Sequence, residues 1–370
     1  MRYIGTISYN IYCNFTNYGS ALQTWALHQA IKKCGYEPIL VDYCPDILAD
    51  KDPLNPFRNM WDKDKESRKM CELTMPAIRA NYEKFDRFYH DRFQRTAKKY
   101  TSENFNDIVH DEKIDGFVCG SDTIFCIDEF DGFDDGYYAN YSCMRKRSVS
   151  YAASFGDSHF DDSTYATLDN RLQNFLALGI REENMLGYIA THTNVPFARN
   201  VDPTLLLTSN EYDTIVADRQ ISEKYLLLYT RRYDPEMERL AKCIASEKGL
   251  RIIEISLRAA NAEKGHIMRY DAGVEEFLSL VKYADYVVTN SFHGLIFAVQ
   301  YRRPLSVFSR EQANSKISEL LDLFGMKSSL CNSLKTNTDP IDYNAVHSNI
   351  EKARIASFSF LKEELELLCI

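Results

Sequence analysis

The sequence predicts an α/β protein with two domains, each built around an open parallel sheet. Apolar runs of strand length alternate with amphipathic segments of helix length, as in successive βαβ units. The alternation restarts after about residue 208, although the chain has no internal sequence repeat. With 370 residues, the chain is also longer than a single typical core requires.

The first predicted domain comprises residues 1–207. It opens with a βαβ unit, for which parallel pairing and a right-handed crossover are expected. A charged, proline-containing stretch near residues 45–75 is predicted to be an insertion. The predicted strands lie at 3–8, 39–43, 117–119, 148–152, 178–181 and 200–204, and the predicted helices at 20–33 and 78–93.

The second predicted domain comprises residues 208–340, and an amphipathic helix within residues 341–370 is expected to pack back on the first domain. The predicted strands lie at 225–229, 251–255, 286–288 and 305–308, and the predicted helices at 236–248, 274–284, 294–301 and 343–368. Open sheets of this kind bind ligands at the carboxyl ends of their strands. Two such domains are therefore expected to face a common cleft.

Composition and charge narrow the class of protein. The net charge is −9, from 44 basic and 53 acidic residues, whereas a general nucleic-acid binder has a basic excess. The ten cysteines form no CxxC pair and no zinc spacing, so free thiols and no metal site are predicted. No apolar run approaches the length of a membrane span. These features predict a protein of the reducing cytoplasm.

The stretch from Thr289 to Ala298 carries the strongest local signal. An apolar run at 286–288 stops at small polar residues, and an apolar helical segment begins just after His293. Unpaired N–H groups at a helix N-terminus attract phosphate or carboxylate, and a histidine there can donate a proton near neutral pH. The pattern indicates an active-site turn for an anionic substrate. A structural histidine is an equally good interpretation of His293, and helix capping is the favoured interpretation of Ser291.

Similar polar clusters follow other predicted strands, and their convergence on one cleft is expected. The clusters are Asn17-Tyr18-Gly19, Gly120-Ser121-Asp122, Ser154-Phe155-Gly156, Arg181-Glu182, Thr230-Arg231-Arg232 and Ser291-Phe292-His293-Gly294. In this order the chain resembles the polysaccharide pyruvyl transferase family over residues 3–325. The matching stretches are residues 17–23, 120–122, 150–156, 181–182, 202–204 and 291–294. The family often has Gln-Val-Trp after its Gly-Ser-Asp motif, whereas Thr123-Ile124-Phe125 stand here, which leaves acceptor recognition open.

The resemblance implies a GT-B-like fold, with two Rossmann-like domains facing a cleft. It implies an enzyme that transfers the pyruvyl group of phosphoenolpyruvate to a sugar of a surface polysaccharide or of its lipid-linked precursor, forming a pyruvate ketal. No further cofactor is implied. A lipid-linked acceptor is compatible with peripheral membrane association.

The resemblance also implies roles for individual residues. His293 is the candidate general acid toward the methylene carbon, and Asp122 is expected either to orient or deprotonate the acceptor hydroxyl or to cap a helix. Arg181 is expected to bind the carboxylate or the phosphate of the substrate, or alternatively to form a salt bridge with Glu182 or another acid. The other donor-side candidates are Ser291, Phe292, Gly294, Arg231, Arg232 and Lys316, of which the three cations are first interpreted as surface charges. The acceptor-side candidates are Asn17, Tyr18, Gly19 and Ser121.

Two other functions stay open at this stage. A GT-B glycosyltransferase that uses a nucleotide-sugar would share the predicted fold, and its sites are poorly marked in sequence. A non-catalytic glycan-binding protein would also share it, although the presence of both Arg181 and His293 argues against that function.

Overall fold

A computed structural model describes residues 2–13, 16–52, 65–231, 233–255, 261, 264–309, 314–331 and 340–368. The chain divides into two compact units. Unit 1 comprises Met1–Lys51, Asp86–Leu207 and Ala353–Ile370, and unit 2 comprises Asp52–Phe85 and Thr208–Lys352. Two long helices, α2 (Lys65–Arg92) and α12 (Tyr343–Leu367), contain residues of both units.

Unit 1 contains a parallel sheet. Its strands are β1 (Tyr3–Ile7), β2 (Glu37–Leu40), β3 (Gly116–Cys119), β4 (Ser148–Ala153), β5 (Leu178–Ile180) and β6 (Phe197–Arg199). They pair in the order β2-β1-β3-β4-β5-β6. The order reverses at β1, where Gly5 pairs with Ile39 of β2 on one side and with Phe117 of β3 on the other. Ligands of open α/β sheets bind at such a reversal.

Both faces of this sheet are covered, as is usual for parallel sheets. Val118 of β3 packs in one apolar cluster with Leu27 and with Leu361 of α12. Phe117 belongs to an aromatic-rich cluster on the opposite face, because successive strand side chains alternate. The helices of unit 1, besides its portions of α2 and α12, are α1 (Tyr18–Lys33), α3 (Ile108–Asp111), α4 (Ile127–Phe130), α5 (Asp162–Leu172) and α6 (Leu186–His192).

Unit 2 contains a second parallel sheet. Its strands are β7 (Tyr225–Tyr229), β8 (Arg251–Ile255), β9 (Ile267–Met268), β10 (Tyr286–Thr289), β11 (Leu305–Phe308) and β12 (Leu330–Cys331). They pair in the order β12-β11-β10-β7-β8-β9. The order reverses at β7, where Leu228 pairs with Val288 of β10 and with Glu254 of β8. The prediction of an α/β fold with two parallel sheets is confirmed.

Of the helices that lie wholly in unit 2, the first precedes β7 and the others lie between the strands in sequence. They are α7 (Ser209–Tyr212), α8 (Pro235–Lys248), α9 (Val274–Lys282), α10 (Phe292–Gln300) and α11 (Asn314–Phe324). Asp234 starts α8 by accepting a hydrogen bond from Glu236 N at 2.9 Å, and Pro235 at the first helical position needs no donor there. None of the helices in the described ranges is both long and apolar enough to cross a bilayer.

Two predicted elements are wrong in position. Residues 200–204 are not a strand, because β6 ends at Arg199 and Pro203–Leu205 form a 3₁₀ turn. Asp202 caps this turn, and Pro203 has no N–H to donate to a ladder. The helix predicted at 78–93 begins at Lys65 and continues through Pro76, so it includes part of the predicted insertion. Residues 53–64 of that insertion lie outside the described residues.

The part of α12 in unit 1 carries a buried carboxyl group. Glu364 is 1% exposed, and neither of its carboxylate oxygens has a hydrogen-bond partner in the described part of the chain. Burial, and after it the charge of Glu363, raises the pKa of Glu364 well above its ordinary value. The group is therefore neutral in the folded protein at pH values where the unfolded chain ionises it.

We expect the variant Glu364→Gln to remove a pH dependence of stability. Because the folded-state pKa is raised, the stabilising contribution of Glu364 is complete below the ordinary pKa of about 4.3 and is lost as the pH rises. Relative to the variant, the native protein should lose about 1.4 kcal/mol of unfolding free energy per pH unit. Urea unfolding at about pH 5 and about pH 6.5 measures this slope. The exposed Glu366→Gln is the control, and a native-to-variant difference that is independent of pH contradicts a neutral Glu364.

Candidate functional site

In unit 2, the reversal of strand order brings the end of β10 beside the end of β7. Thr289, the last residue of β10, donates a hydrogen bond from Oγ1 to the Tyr229 carbonyl at 2.9 Å. Asn290 Oδ1 accepts a hydrogen bond from the backbone N–H of Arg231, also at 2.9 Å. Two predicted clusters that are far apart in sequence are thereby joined.

Helix α10 starts directly after this junction. Ser291 is its N-cap, with Oγ accepting from Gly294 N at 3.3 Å, which confirms the predicted cap. A β-carbon on Gly294 would lie 2.4 Å from Thr289 Oγ1 and 2.9 Å from Tyr229 Cδ1, so glycine permits the close approach of this turn to the strand ends. The first turn of α10 has no acidic residue, so no carboxylate of that turn offsets the positive end of the helix dipole.

Phe292 and His293 are the first two residues of α10, and both are half-buried. Their rings meet edge to face, with centroids 5.2 Å apart and planes at 80°. The imidazole and the N-terminal N–H groups of the helix therefore belong to one turn. Such a turn can combine anion binding with proton donation.

The three predicted cations of unit 2 differ in their placement. Arg231 is half-buried, and its backbone is tied to Asn290. Arg232 lies outside the described residues. Lys316 lies in α11, and among the described residues no hydrogen bond or ion pair joins it to residues 291–294.

In unit 1, the residues after β3 meet the first turn of α1. Asp122 Oδ2 accepts from Ser20 Oγ at 2.5 Å, and Oδ1 accepts from Thr123 N at 2.9 Å. The carboxylate thus lies at a helix N-terminus, where a negative charge is favoured. Asp122 also has a φ of 75°, a left-handed conformation that costs a non-glycine residue about 1–3 kcal/mol and clusters at functional sites.

Ser121 is fixed by buried hydrogen bonds to Ser8, which follows β1, and to Gln23 of α1. Its N–H donates to Gln23 Oε1 at 3.1 Å, and its carbonyl accepts from Ser8 Oγ at 2.7 Å. Gln23 Nε2 also donates to Ser8 Oγ, at 2.8 Å. The ends of β1 and β3 and the start of α1 are therefore locked together, which fixes the position of Asp122.

Arg181 follows β5 and forms an ion pair with Asp202, with Nη2 at 3.0 Å from Oδ2. The same nitrogen donates to Ser121 Oγ. Glu182 instead accepts hydrogen bonds from Ser154 Oγ and from Phe155 N. The alternative salt bridge predicted for Arg181 exists, and its acid is Asp202.

Burial separates the predicted site residues into two groups. The half-buried group can meet a solute and contains Asn17, Asp122, Arg181, Arg231, Phe292, His293 and Lys316. The buried group contains Tyr18, Gly19, Ser121, Ser291 and Gly294. Ser20, Gln23, Asn290 and Asp202 were not predicted as site residues, although Ser20 and Gln23 are three residues apart on α1 and hence share a face. Within the described residues, no group of three or more His, Cys, Asp or Glu side chains is arranged to hold a metal ion.

Comparison with known proteins gives one family match. The family model described as polysaccharide pyruvyl transferase matches residues 17–312. No curated protein matches the sequence. Among solved structures, the chain is similar to MnaA of S. aureus in a co-structure with UDP, at 15% identity over 95% of this chain and 88% of that chain, with a TM-score of 0.49.

Two further solved structures are similar at lower identity. The UDP-GlcNAc 2-epimerase from Methanocaldococcus jannaschii is 11% identical over 95% of this chain and 92% of that chain, with a TM-score of 0.45. The glycosyltransferase SnogD from Streptomyces nogalater is 10% identical over 97% of this chain and 95% of that chain, with a TM-score of 0.39.

Proposed function

Because the chain belongs to the polysaccharide pyruvyl transferase family, we propose that it transfers the pyruvyl group of phosphoenolpyruvate to a sugar of a surface polysaccharide or of its lipid-linked precursor. The product is a ketal, in which C2 of the pyruvyl group bridges two hydroxyls of the sugar. The observation that best supports this function is the first turn of α10, where helix N–H groups and His293 occur together without an acidic residue.

The donor needs fixed positive charge, because phosphoenolpyruvate carries a phosphate and a carboxylate. The N-terminal turn of α10 supplies backbone N–H groups and the positive end of the helix dipole for one of these anions. Arg181 of unit 1 is a further proposed anion-binding residue, because its guanidinium has the forked geometry that matches carboxylate and phosphate. Arg231, Arg232 and Lys316 are secondary candidates for the same task.

The acceptor is a neutral hydroxyl, and the environment of Asp122 suits it. The N-terminal turn of α1 is already occupied by the Asp122 carboxylate, so the helix dipole there is compensated. A half-buried carboxylate in this position can accept the proton of a hydroxyl or orient it. Asn17, Tyr18 and Gly19 start the same helix and are the proposed neighbours of the acceptor.

The proposed reaction balances in two steps. First, His293 delivers a proton to the methylene carbon C3 while the first sugar oxygen bonds to C2, and Asp122 takes the proton of that hydroxyl. Second, the bond from C2 to the phosphate oxygen breaks, the other sugar oxygen bonds to C2, and the proton of that hydroxyl passes to the phosphate, which leaves as inorganic phosphate. The proton held by Asp122 is released to solvent and His293 takes one up from solvent, which restores both groups.

Calorimetric titration with phosphoenolpyruvate tests the donor. We expect the native protein to bind it and Arg181→Ala to bind it at least about tenfold more weakly, since a charge-assisted hydrogen bond contributes about 1.5–3 kcal/mol. Arg251→Ala is the matched control, because Arg251 is an exposed arginine of unit 2 paired with Glu223 at 2.9 Å. Absence of phosphoenolpyruvate binding, together with stabilisation by nucleotide-sugars in a thermal-shift panel, would favour the glycosyltransferase function instead.

A further inference from the structure

We propose that Asp202 is a positioning residue of the donor site, which holds the guanidinium of Arg181 in the orientation that binds the substrate anion. This inference rests on the proposed function, because it takes Arg181 as a donor-binding residue. Asp202 itself touches no substrate in this proposal. It acts through Arg181.

The carboxylate of Asp202 is fixed independently of Arg181. Its side chain is 0% exposed. Oδ1 accepts from the backbone N–H of Thr204 at 2.9 Å and from Thr204 Oγ1 at 2.6 Å, which leaves Oδ2 toward Arg181. Pro203, with its restricted φ, lies between Asp202 and Thr204. The acid is therefore a rigid anchor, since both its rotamer and its backbone are constrained.

Arg181 is held at two points through one nitrogen. Nη2 lies 3.0 Å from Asp202 Oδ2 and also donates to Ser121 Oγ. Ser121 Oγ in turn donates to the carbonyl of Ala152 at 2.8 Å, so this second anchor is oriented as well. Two anchors on one end of a planar guanidinium set the direction of the whole plane.

The two side chains of the ion pair differ in solvent exposure. This difference favours a positioning role for Asp202 over a purely structural ion pair. Asp202 is fully buried, whereas the Arg181 side chain keeps 10% exposure at the carboxyl end of β5. Ligands of parallel sheets bind at that end. A freely rotating arginine side chain loses rotamer entropy when it is immobilised, so anchoring Arg181 before binding lowers the cost of immobilising it on the substrate.

Asp202→Asn tests the proposal. The amide retains an acceptor for Thr204 but removes the charge that orients Arg181. By analogy with outer-shell partners of bound ligands, we expect the dissociation constant for phosphoenolpyruvate to rise about tenfold to a hundredfold. The double variant with Arg181→Ala should bind no more weakly than Arg181→Ala alone, because both changes remove one interaction. Asp42→Asn is the matched control, since Asp42 forms another Asp–Arg pair of unit 1, with Arg95.

The outcomes separate this inference from the proposed function. If Arg181→Ala binds phosphoenolpyruvate as the native protein does, the donor role of Arg181 fails. If Arg181→Ala is weakened but Asp202→Asn is not, or if Asp202→Asn only lowers the unfolding midpoint, the positioning role is overturned. If Asp202→Asn does not fold, Arg181→Lys serves as the second variant, because lysine keeps the positive charge but lacks the planar guanidinium. Phosphoenolpyruvate binding as weak as that of Arg181→Ala supports the positioning role of Asp202. Native-like binding overturns it.

Discussion

Replacing His293 by alanine is expected to lower turnover by about a hundredfold to ten-thousandfold, which is the usual effect of removing a general acid. The fold should persist, because the cap of α10 depends on Ser291 and the close packing of its first turn depends on Gly294. The His293 ring is half-buried and contacts the ring of Phe292. Single-turnover rates with phosphoenolpyruvate and a sugar acceptor measure the effect.

The His293→Ala variant should keep its affinity for phosphoenolpyruvate and lose turnover. The His293 imidazole is not among the proposed donor-binding groups, so the dissociation constant of phosphoenolpyruvate should change little while the turnover number falls. His347→Ala is the control, because its half-buried imidazole contacts the other end of α10 through Val299 O at 3.0 Å. Native turnover in His293→Ala would remove the general-acid role, and an equal loss in His347→Ala would attribute the effect to the packing of α10.

Local patterns in the sequence were sufficient to predict the parallel sheets and the turn that carries His293. Strand β10 and helix α10 meet within four residues of the chain, so the apolar run, the small polar residues and the cap of Ser291 are all adjacent in sequence. The same holds for α8, whose start is marked by Asp234 and Pro235. Elements whose start and end signals are contiguous can be read from the chain itself.

Contacts between distant residues could not be predicted in the same way. Glu182 is the neighbour of Arg181 in the chain, but it bonds to Ser154 and Phe155, which follow β4, the strand that pairs with β5. Asp202 reaches Arg181 because it follows β6, which pairs with β5. The contact of Ser20 with Asp122 spans 102 residues and depends on β1 and β3 being neighbours in the sheet.

Helix α5 was not predicted, and its local sequence signals are weak. The start of α5 is a capping box in which Asp161 and Thr164 bond reciprocally, and threonine replaces the usual glutamate or glutamine of that motif. Its buried apolar residues are Leu168 and Leu172, so the apolar stripe is short. Helix α2 was predicted too short, at 78–93, although it continues through Pro76, because a proline inside a long helix removes one hydrogen bond without necessarily ending the helix.

Gly120→Ala is expected to destabilise unit 1 strongly. Gly120 follows β3 directly, has a φ of 134°, and donates a backbone hydrogen bond to Ile7 O at 2.8 Å. A β-carbon there would lie 2.2 Å from the carbonyl oxygen of Tyr151 in β4, and this backbone atom cannot retreat without disturbing the pairing of β3 with β4. Conformational strain of about 1–3 kcal/mol and overpacking of about 1–3 kcal/mol together predict a loss of about 2–6 kcal/mol in unfolding free energy, measurable by urea unfolding.

Gly132→Ala is the matched control that isolates the conformational strain, because Gly132 has a similar φ of 122° but no atom within 4 Å of its β-carbon position. This variant should lose only the conformational part, about 1–3 kcal/mol. Equal losses in the two variants would show that the chain relieves the contact with Tyr151 at no cost. If Gly120→Ala is the more destabilised of the two, the backbone at the end of β3 cannot move away from Tyr151 to make room for the β-carbon. The backbone of Ser121 and Asp122 is then held in one conformation by the packing of the sheet. Ser121 Oγ, which accepts a hydrogen bond from Arg181, is fixed by the same packing and orients the arginine.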